Sequence, residues 1–115
     1  MNNHKTRIEI INNIKYHVLD YSNPTIKDRK KLEKFISKNK YVKLINRNYN
    51  ILEFYYKNGQ IHNDIGPAII LINGKNNKIE KVEYYLNDVI ISEKKWKIQF
   101  RKYKLLNLTN YNDDF

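Results

Sequence analysis

Phe54-Tyr55-Tyr56-Lys57-Asn58-Gly59-Gln60-Ile61-His62-Asn63-Asp64-Ile65-Gly66-Pro67-Ala68 is the stretch whose reading decides the fold. It holds two of the chain's three glycines, one of its two prolines and its only alanine. An aromatic run followed by Asn58-Gly59 is a hairpin signal, because a two-residue type I′ turn needs positive φ at both centres, where Asn and Gly are least penalised. Gly66-Pro67 then breaks the chain a second time before the apolar run Ala68-Ile69-Ile70-Leu71-Ile72.

Outward from this stretch the text repeats. Leu44-Ile45-Asn46 and Tyr55-Tyr56-Lys57-Asn58-Gly59 return as Leu71-Ile72-Asn73 and Tyr84-Tyr85-Leu86-Asn87-Asp88. The offset grows from 27 to 29, so the later loop is longer by two residues. A period in this range predicts repeated supersecondary units. Residues 41–91 are thus read as two hairpins forming an antiparallel meander, with Ala68–Ile72 as a central strand covered on both faces. Period-2 alternation groups Leu52, Phe54 and Tyr56 in the first copy but Val82, Tyr84 and Leu86 in the second, which are out of step with them. A bulge or a register difference would reconcile the two.

On the N-terminal side, Arg7–Ile11 and Ile14–Tyr21 are β-rich runs about Asn12-Asn13, a tight-turn pair. Asn23-Pro24 starts a helix running to about Ser37 or Lys38, with Asn23 as cap and Pro24 at the first position. Its wheel puts Leu32, Phe35 and Ile36 on one face and Lys27, Lys30, Lys31, Lys34 and Lys38 on a roughly opposite stripe. On the C-terminal side, Ser92-Glu93 starts a second helix whose Trp96, Phe100 and Tyr103 share a face aimed at the sheet. Ile98 and Leu105 lie opposite, beside Lys94, Lys97, Arg101 and Lys104. From Asn107 the text turns polar, and 107–115 reads as a flexible tail. The expectation is one α+β domain over 1–106: a small antiparallel β-meander of two repeated hairpins, an N-terminal hairpin, one basic helix and a C-terminal helix.

With 115 residues the chain fits one domain. The absence of cysteine removes disulfides and thiolate metal sites and suits a reducing, cytoplasmic setting. No apolar run approaches a membrane span, and Met1-Asn2-Asn3-His4-Lys5 has no signal-peptide core. The net charge of +10 invites a nucleic-acid partner. Against that, Lys, Asn, Ile and Tyr are the residues of A/T-rich codons, and only four of the 22 basic residues are Arg, the residue favoured for reading bases.

Tyr55-Tyr56-Lys57-Asn58-Gly59-Gln60-Ile61-His62 with Asp64-Ile65-Gly66-Pro67-Ala68 resembles the diverged MORN-like repeats of many phage and large-DNA-virus proteins. Those repeats read approximately Trp/Tyr-Tyr-x-Asn-Gly-x-x-His-x-x-x-Gly-Pro-Ala. Residues 84–96 look like a degraded terminal unit, in which Asp88 replaces the glycine and Ile91 the histidine. The resemblance covers roughly 41–96 and implies a β-hairpin stack used for interaction, without an extended array.

His62 and Asp64 are the one pairing with the makings of a metal ligand set or a base and its orienter. Two such groups do not complete a site, and His4 and His17 are distant in sequence. His62 is therefore expected to hydrogen-bond the Gly66-Pro67 turn. No glycine-rich phosphate loop, nucleophile elbow or metal-ligand spacing is present, so no enzyme and no cofactor is expected. Tyr49, Tyr55 and Tyr85, with Tyr16 and Tyr21, are candidates for an exposed tyrosine-rich sheet that anchors a protein partner or stacks bases. The leading expectation is a non-catalytic interaction protein, virus- or phage-encoded, which binds a host protein or ribonucleoprotein through the tyrosine-rich sheet face, with Tyr49, Tyr55, Tyr85 and His62, or through the basic helix. By analogy, a counter-defence inhibitor fits this size. The alternative is nucleic-acid binding through Lys27, Lys31, Lys34, Lys38, Lys94, Lys97, Arg101 and Lys104.

Overall fold

A computed structural model describes residues 4–22 and 26–112, without the side chains of residue 4, 26–28, 103 and 106–112. The elements are β1 (His4–Ile11), β2 (Ile14–Ser22), α1 (Ile26–Lys38), β3 (Tyr41–Arg47), β4 (Ile51–Lys57), β5 (Gln60–Ile61), β6 (Ile69–Ile72), β7 (Ile79–Leu86), β8 (Val89–Ile91) and α2 (Glu93–Asn112). The strands form one sheet in the order β1-β2-β3-β4-β6-β7-β8, with β5 folded back on the end of β4. The architecture is a small α+β protein with a mostly antiparallel, meander-like sheet and two helices.

Three hairpins turn on paired residues at positive φ: Asn12-Asn13, Asn58-Gly59 and Asn87-Asp88. Asn and Gly tolerate this region best, so the local sequence sets all three turns. Between β2 and β3 the chain does something the hairpin reading omitted. The two strands are parallel, with Val18 opposite Lys43 and Asp20 opposite Ile45. A parallel neighbour requires a crossover, and α1 supplies it. The proposed cap, Asn23-Pro24, lies outside the described residues. At the other end of α1, the Asn39 side chain donates to the Phe35 carbonyl at 3.0 Å.

Leu32, Phe35 and Ile36 of α1 pack with Phe54 and Tyr56 on Leu19, Tyr21, Val42 and Leu44, one face of the sheet. The opposite face carries a second buried cluster, Tyr16, Val18, Ile45 and Tyr55, with Ile51 and Ile70 beside it. α2 begins as expected, with Ser92 Oγ accepting the Lys95 amide at 3.2 Å. Its Trp96 ring lies 4.9 Å from that of Tyr84 and stacks on Phe100, also at 4.9 Å. The Tyr103 side chain lies outside those described. The helix continues to Asn112, past Asn107 where the polar text suggested a tail, and 113–115 lie outside the described residues.

The register explains the mismatch between the two hairpins. Ile70 pairs with both Glu53 and Val82, so Glu53, Tyr55, Val82 and Tyr84 share the face opposite α1. Aligned residues of the two hairpins keep the same face; the apolar set changes sides. In β4 it points to α1, and in β7 it points to α2, because the two helices cover opposite faces. An irregularity between Leu71 and Ile72 in the β6–β7 pairing absorbs the longer loop. β6 is an interior strand between β4 and β7, while β4 holds the centre of the order, and the residues of β6 are half-buried rather than covered on both faces.

Candidate functional site

Where the two hairpins meet, residues 61–68 tie one turn to the other. The Ile61 amide donates to Asp88 Oδ1 at 2.6 Å, and the Asp88 amide donates to the Ile61 carbonyl at 2.9 Å. His62 is buried, at 7% exposure, and its Nδ1 accepts the Asn87 amide at 3.0 Å. An Nδ1 that accepts leaves the proton of a neutral imidazole on Nε2. Nε2 lies 3.0 Å from Asp64 Oδ1. The His62 contact is the first cause holding the Asp64 carboxyl below the usual carboxylate range; burial opposes it, and Lys57 at 3.9 Å adds to it.

The Gly66-Pro67 turn is held by a different side chain from the one expected. Asn63 Nδ2 donates to the Pro67 carbonyl at 3.0 Å, and Asn63 Oδ1 accepts the Ile65 amide at 3.0 Å. The Asn63 amide also donates to Tyr85, and its carbonyl accepts Trp96 Nε1 at 3.1 Å. All four polar groups of this buried residue are thus engaged. Sequence reasoning weighed His62 and Asp64 and passed over the residue between them. The available signal was the Asn two residues before Ile65, the spacing of an Asx turn.

Of the residues proposed as a partner surface, Tyr49 is 91% exposed in the β3–β4 turn, whereas Tyr55 is 9% exposed. Tyr85 is half-buried, and Tyr16 and Tyr21 are buried. Tyr49, Tyr55, Tyr85 and His62 do not form one exposed surface. The tyrosines do not share a face, since Tyr16 and Tyr55 lie opposite α1 and Tyr21 on the α1 side, and long charged neighbours close over the rings. Tyr16 meets the Tyr41 and Tyr55 rings edge-on at 5.6 and 5.5 Å. Lys43 Nζ lies 5.5 Å above the Tyr55 ring, and Lys57 Nζ 5.8 Å above Tyr41.

That covering forms the most organised charged feature of the sheet. On the face opposite α1, Lys43, Glu9, Arg7, Asp20 and Arg47 form a chain of alternating sign across β3, β1 and β2. Its links are Lys43–Glu9 at 3.4 Å, Glu9–Arg7 at 2.7 Å, Arg7–Asp20 at 3.4 Å and Asp20–Arg47 at 2.8 Å. Burial pushes the Asp20 carboxyl up, but Arg47 and Arg7 outweigh it and its pKa is lowered. Glu9 behaves likewise under Arg7 and Lys43. Its links to Lys43 and Arg47 were invisible in sequence because they depend on the parallel pairing that brings β3 beside β2.

The basic residues of the alternative reading divide. Lys31, Lys34 and Lys38 are exposed on α1, while Lys94, Lys97, Arg101 and Lys104 are exposed on α2, across the sheet from α1. The Lys27 side chain lies outside the described residues. Two separate basic faces result, not one. Among the described residues no group of three or more His, Cys, Asp or Glu is placed to hold a metal ion, and no helix is long and apolar enough to cross a membrane. No family model matches the chain, and neither curated proteins nor solved structures give a match.

Proposed function

We propose that this chain is a non-catalytic interaction protein that engages a host protein through the charged sheet face opposite α1, and that its paired hairpins are MORN-like units serving as scaffold. The observation that carries this reading is the five-residue chain from Lys43 to Arg47, clamped side chain to side chain above a buried Tyr16-Val18-Ile45-Tyr55 layer. Side chains already held in place lose little freedom on binding, so such an array favours a complementary polar protein surface. Carboxylates alternate with the cations, and a phosphate backbone laid on this face would meet Glu9 and Asp20 at contact distance. That favours protein over nucleic acid here. Viral or phage origin and a counter-defence role rest on the repeat resemblance alone.

Affinity capture from host lysate, treated with nuclease, tests the reading. The wild-type chain is expected to retain a partner that Asp20→Lys and Arg47→Glu lose, while Lys31→Glu and Lys34→Glu keep it. Capture that survives the face variants but disappears with nuclease, or with the helix variants, would transfer the function to the basic helices.

A further inference from the structure

Among the described residues, the outer edge of β1 is the longest unpaired strand edge in the sheet. Among the described residues β1 pairs only with β2, in regular antiparallel register from His4 opposite Tyr21 to Ile11 opposite Ile14. In a hairpin with a two-residue turn, the pair flanking the turn exchanges hydrogen bonds, and so does every second pair beyond it. Ile11, Glu9, Arg7 and Lys5 therefore bond to β2, and the backbone groups of Thr6, Ile8 and Ile10 point outward. Their side chains share the α1 side of the sheet, since Thr6 lies opposite Leu19. Ile8 is 52% and Ile10 74% exposed. Proteins usually blunt such an edge with a proline, a bulge or charged side chains; between Thr6 and Ile11 there is no proline or bulge, and the two charges, Arg7 and Glu9, pair with each other on the face opposite α1. The opposite edge of the sheet is different: β8 has three residues, Val89–Ile91, before α2 begins at Glu93.

The geometry points to a second copy of this chain as the occupant: β1 pairs antiparallel with β1 of another molecule, across a two-fold axis at Ile8. In that register Ile8 faces Ile8, Thr6 faces Ile10, and Ile10 faces Thr6. These are the residues whose backbone groups point outward, so all three pairs exchange hydrogen bonds and the two sheets become one. The intervening residues sit at non-hydrogen-bonded positions, where side chains approach closest. There Arg7 comes opposite Glu9 of the second copy, and Glu9 opposite its Arg7. The Arg7–Glu9 pair now closed within one chain at 2.7 Å becomes a ring of four alternating charges. A shift that centres the axis on Glu9 would lose one outward pair and set Glu9 against Glu9, and one that centres it on Arg7 would bring His4 opposite Ile10 but set Arg7 against Arg7. The backbone pattern allows both the Ile8- and the Arg7-centred registers, and the like charges at the Arg7 axis select the one centred on Ile8.

Cross-linking reads that register directly, because the natural chain has no cysteine. Ile8→Cys puts two thiols on the axis in a pair about 5.5 Å apart at Cα, within disulfide reach. Thr6→Cys puts them four residue steps apart across the axis, roughly 13 Å, beyond it. The expected result is a disulfide dimer for Ile8→Cys and none for Thr6→Cys, with wild-type mass in sedimentation rising toward twice the monomer as concentration increases. Ile8→Lys with Ile10→Lys should weaken association about tenfold or more, leaving the monomer's melting temperature unchanged. A wild-type chain monomeric throughout the series, or Thr6→Cys linking as readily as Ile8→Cys, would overturn the proposal.

Discussion

Asn63 holds more of the hairpin junction than any other single side chain. Its amide group bridges the Ile65 amide and the Pro67 carbonyl, while its backbone joins Tyr85 to Trp96. Asn63→Ala keeps the backbone bonds but leaves a partly buried donor, the Ile65 amide, and a partly buried acceptor, the Pro67 carbonyl, without this partner. Each such loss costs about 1–3 kcal/mol. A drop of about 2–4 kcal/mol in unfolding free energy, measured by urea titration, is the expected outcome. Asn63→Asp should be destabilising too, because a carboxylate turns an acceptor toward the Pro67 carbonyl. Gly74 is constrained in another way: a Cβ there would run into the Tyr49 carbonyl, so the loop after β6 packs backbone to backbone on the β3–β4 turn. Residue types at turns were legible in the sequence because φ preference is a local property. The Asn63 network was not, since its partners include residues more than twenty positions away.

At the scale of elements, the sequence shows both helices and six of the eight strands, without β5 and β8, but not how they are set against one another. Asn12-Asn13 marks the first hairpin, Leu32, Phe35 and Ile36 mark the buried side of α1, and Ser92 marks the start of α2. Each is a signal contained within one turn or one helical wheel. The parallel β2–β3 pairing depends on where α1 returns the chain, and no periodicity encodes that. The ion-pair chain is a product of this pairing, because Asp20 reaches Arg47 only when β3 runs beside β2. Its pH dependence has a definite sign. Glu9 and Asp20 have lowered pKa values in the folded chain, so their contribution is complete above their unfolded values near about 4 and is lost as pH falls through the lower folded values. Partly exposed links of this kind are worth about 0.2–1 kcal/mol each. Thermal melting followed from pH 6 downward should therefore show stability lost below about pH 4, with Asp20→Asn less stable than wild type at pH 6 and its acid loss shallower.

For the whole molecule, the decisive feature is that the two helices cover opposite faces of one sheet. The principal extents of 54 × 29 × 24 Å describe an elongated body, and its buried clusters are drawn from β2, β3 and β4, with Ile70 of β6 at their margin. Beyond β6, the stack of Tyr84, Trp96 and Phe100 serves β7, β8 and α2 on its own. The apolar pattern of β7 was readable as a string of residues, yet its side could not be assigned before the landing place of α2 was known. The consequence is one of cooperativity. Two halves that share backbone bonds and the Asn63 junction, but no common apolar interior, open as separate units. Native-state hydrogen exchange should find amides of β2 and β3 protected up to the free energy of global unfolding, and those of β7 and α2 exchanging through a smaller opening. A single common opening energy across both halves would contradict this. If it holds, the C-terminal hairpin and helix can detach and re-dock while the face carrying Arg7, Asp20 and Arg47 stays folded.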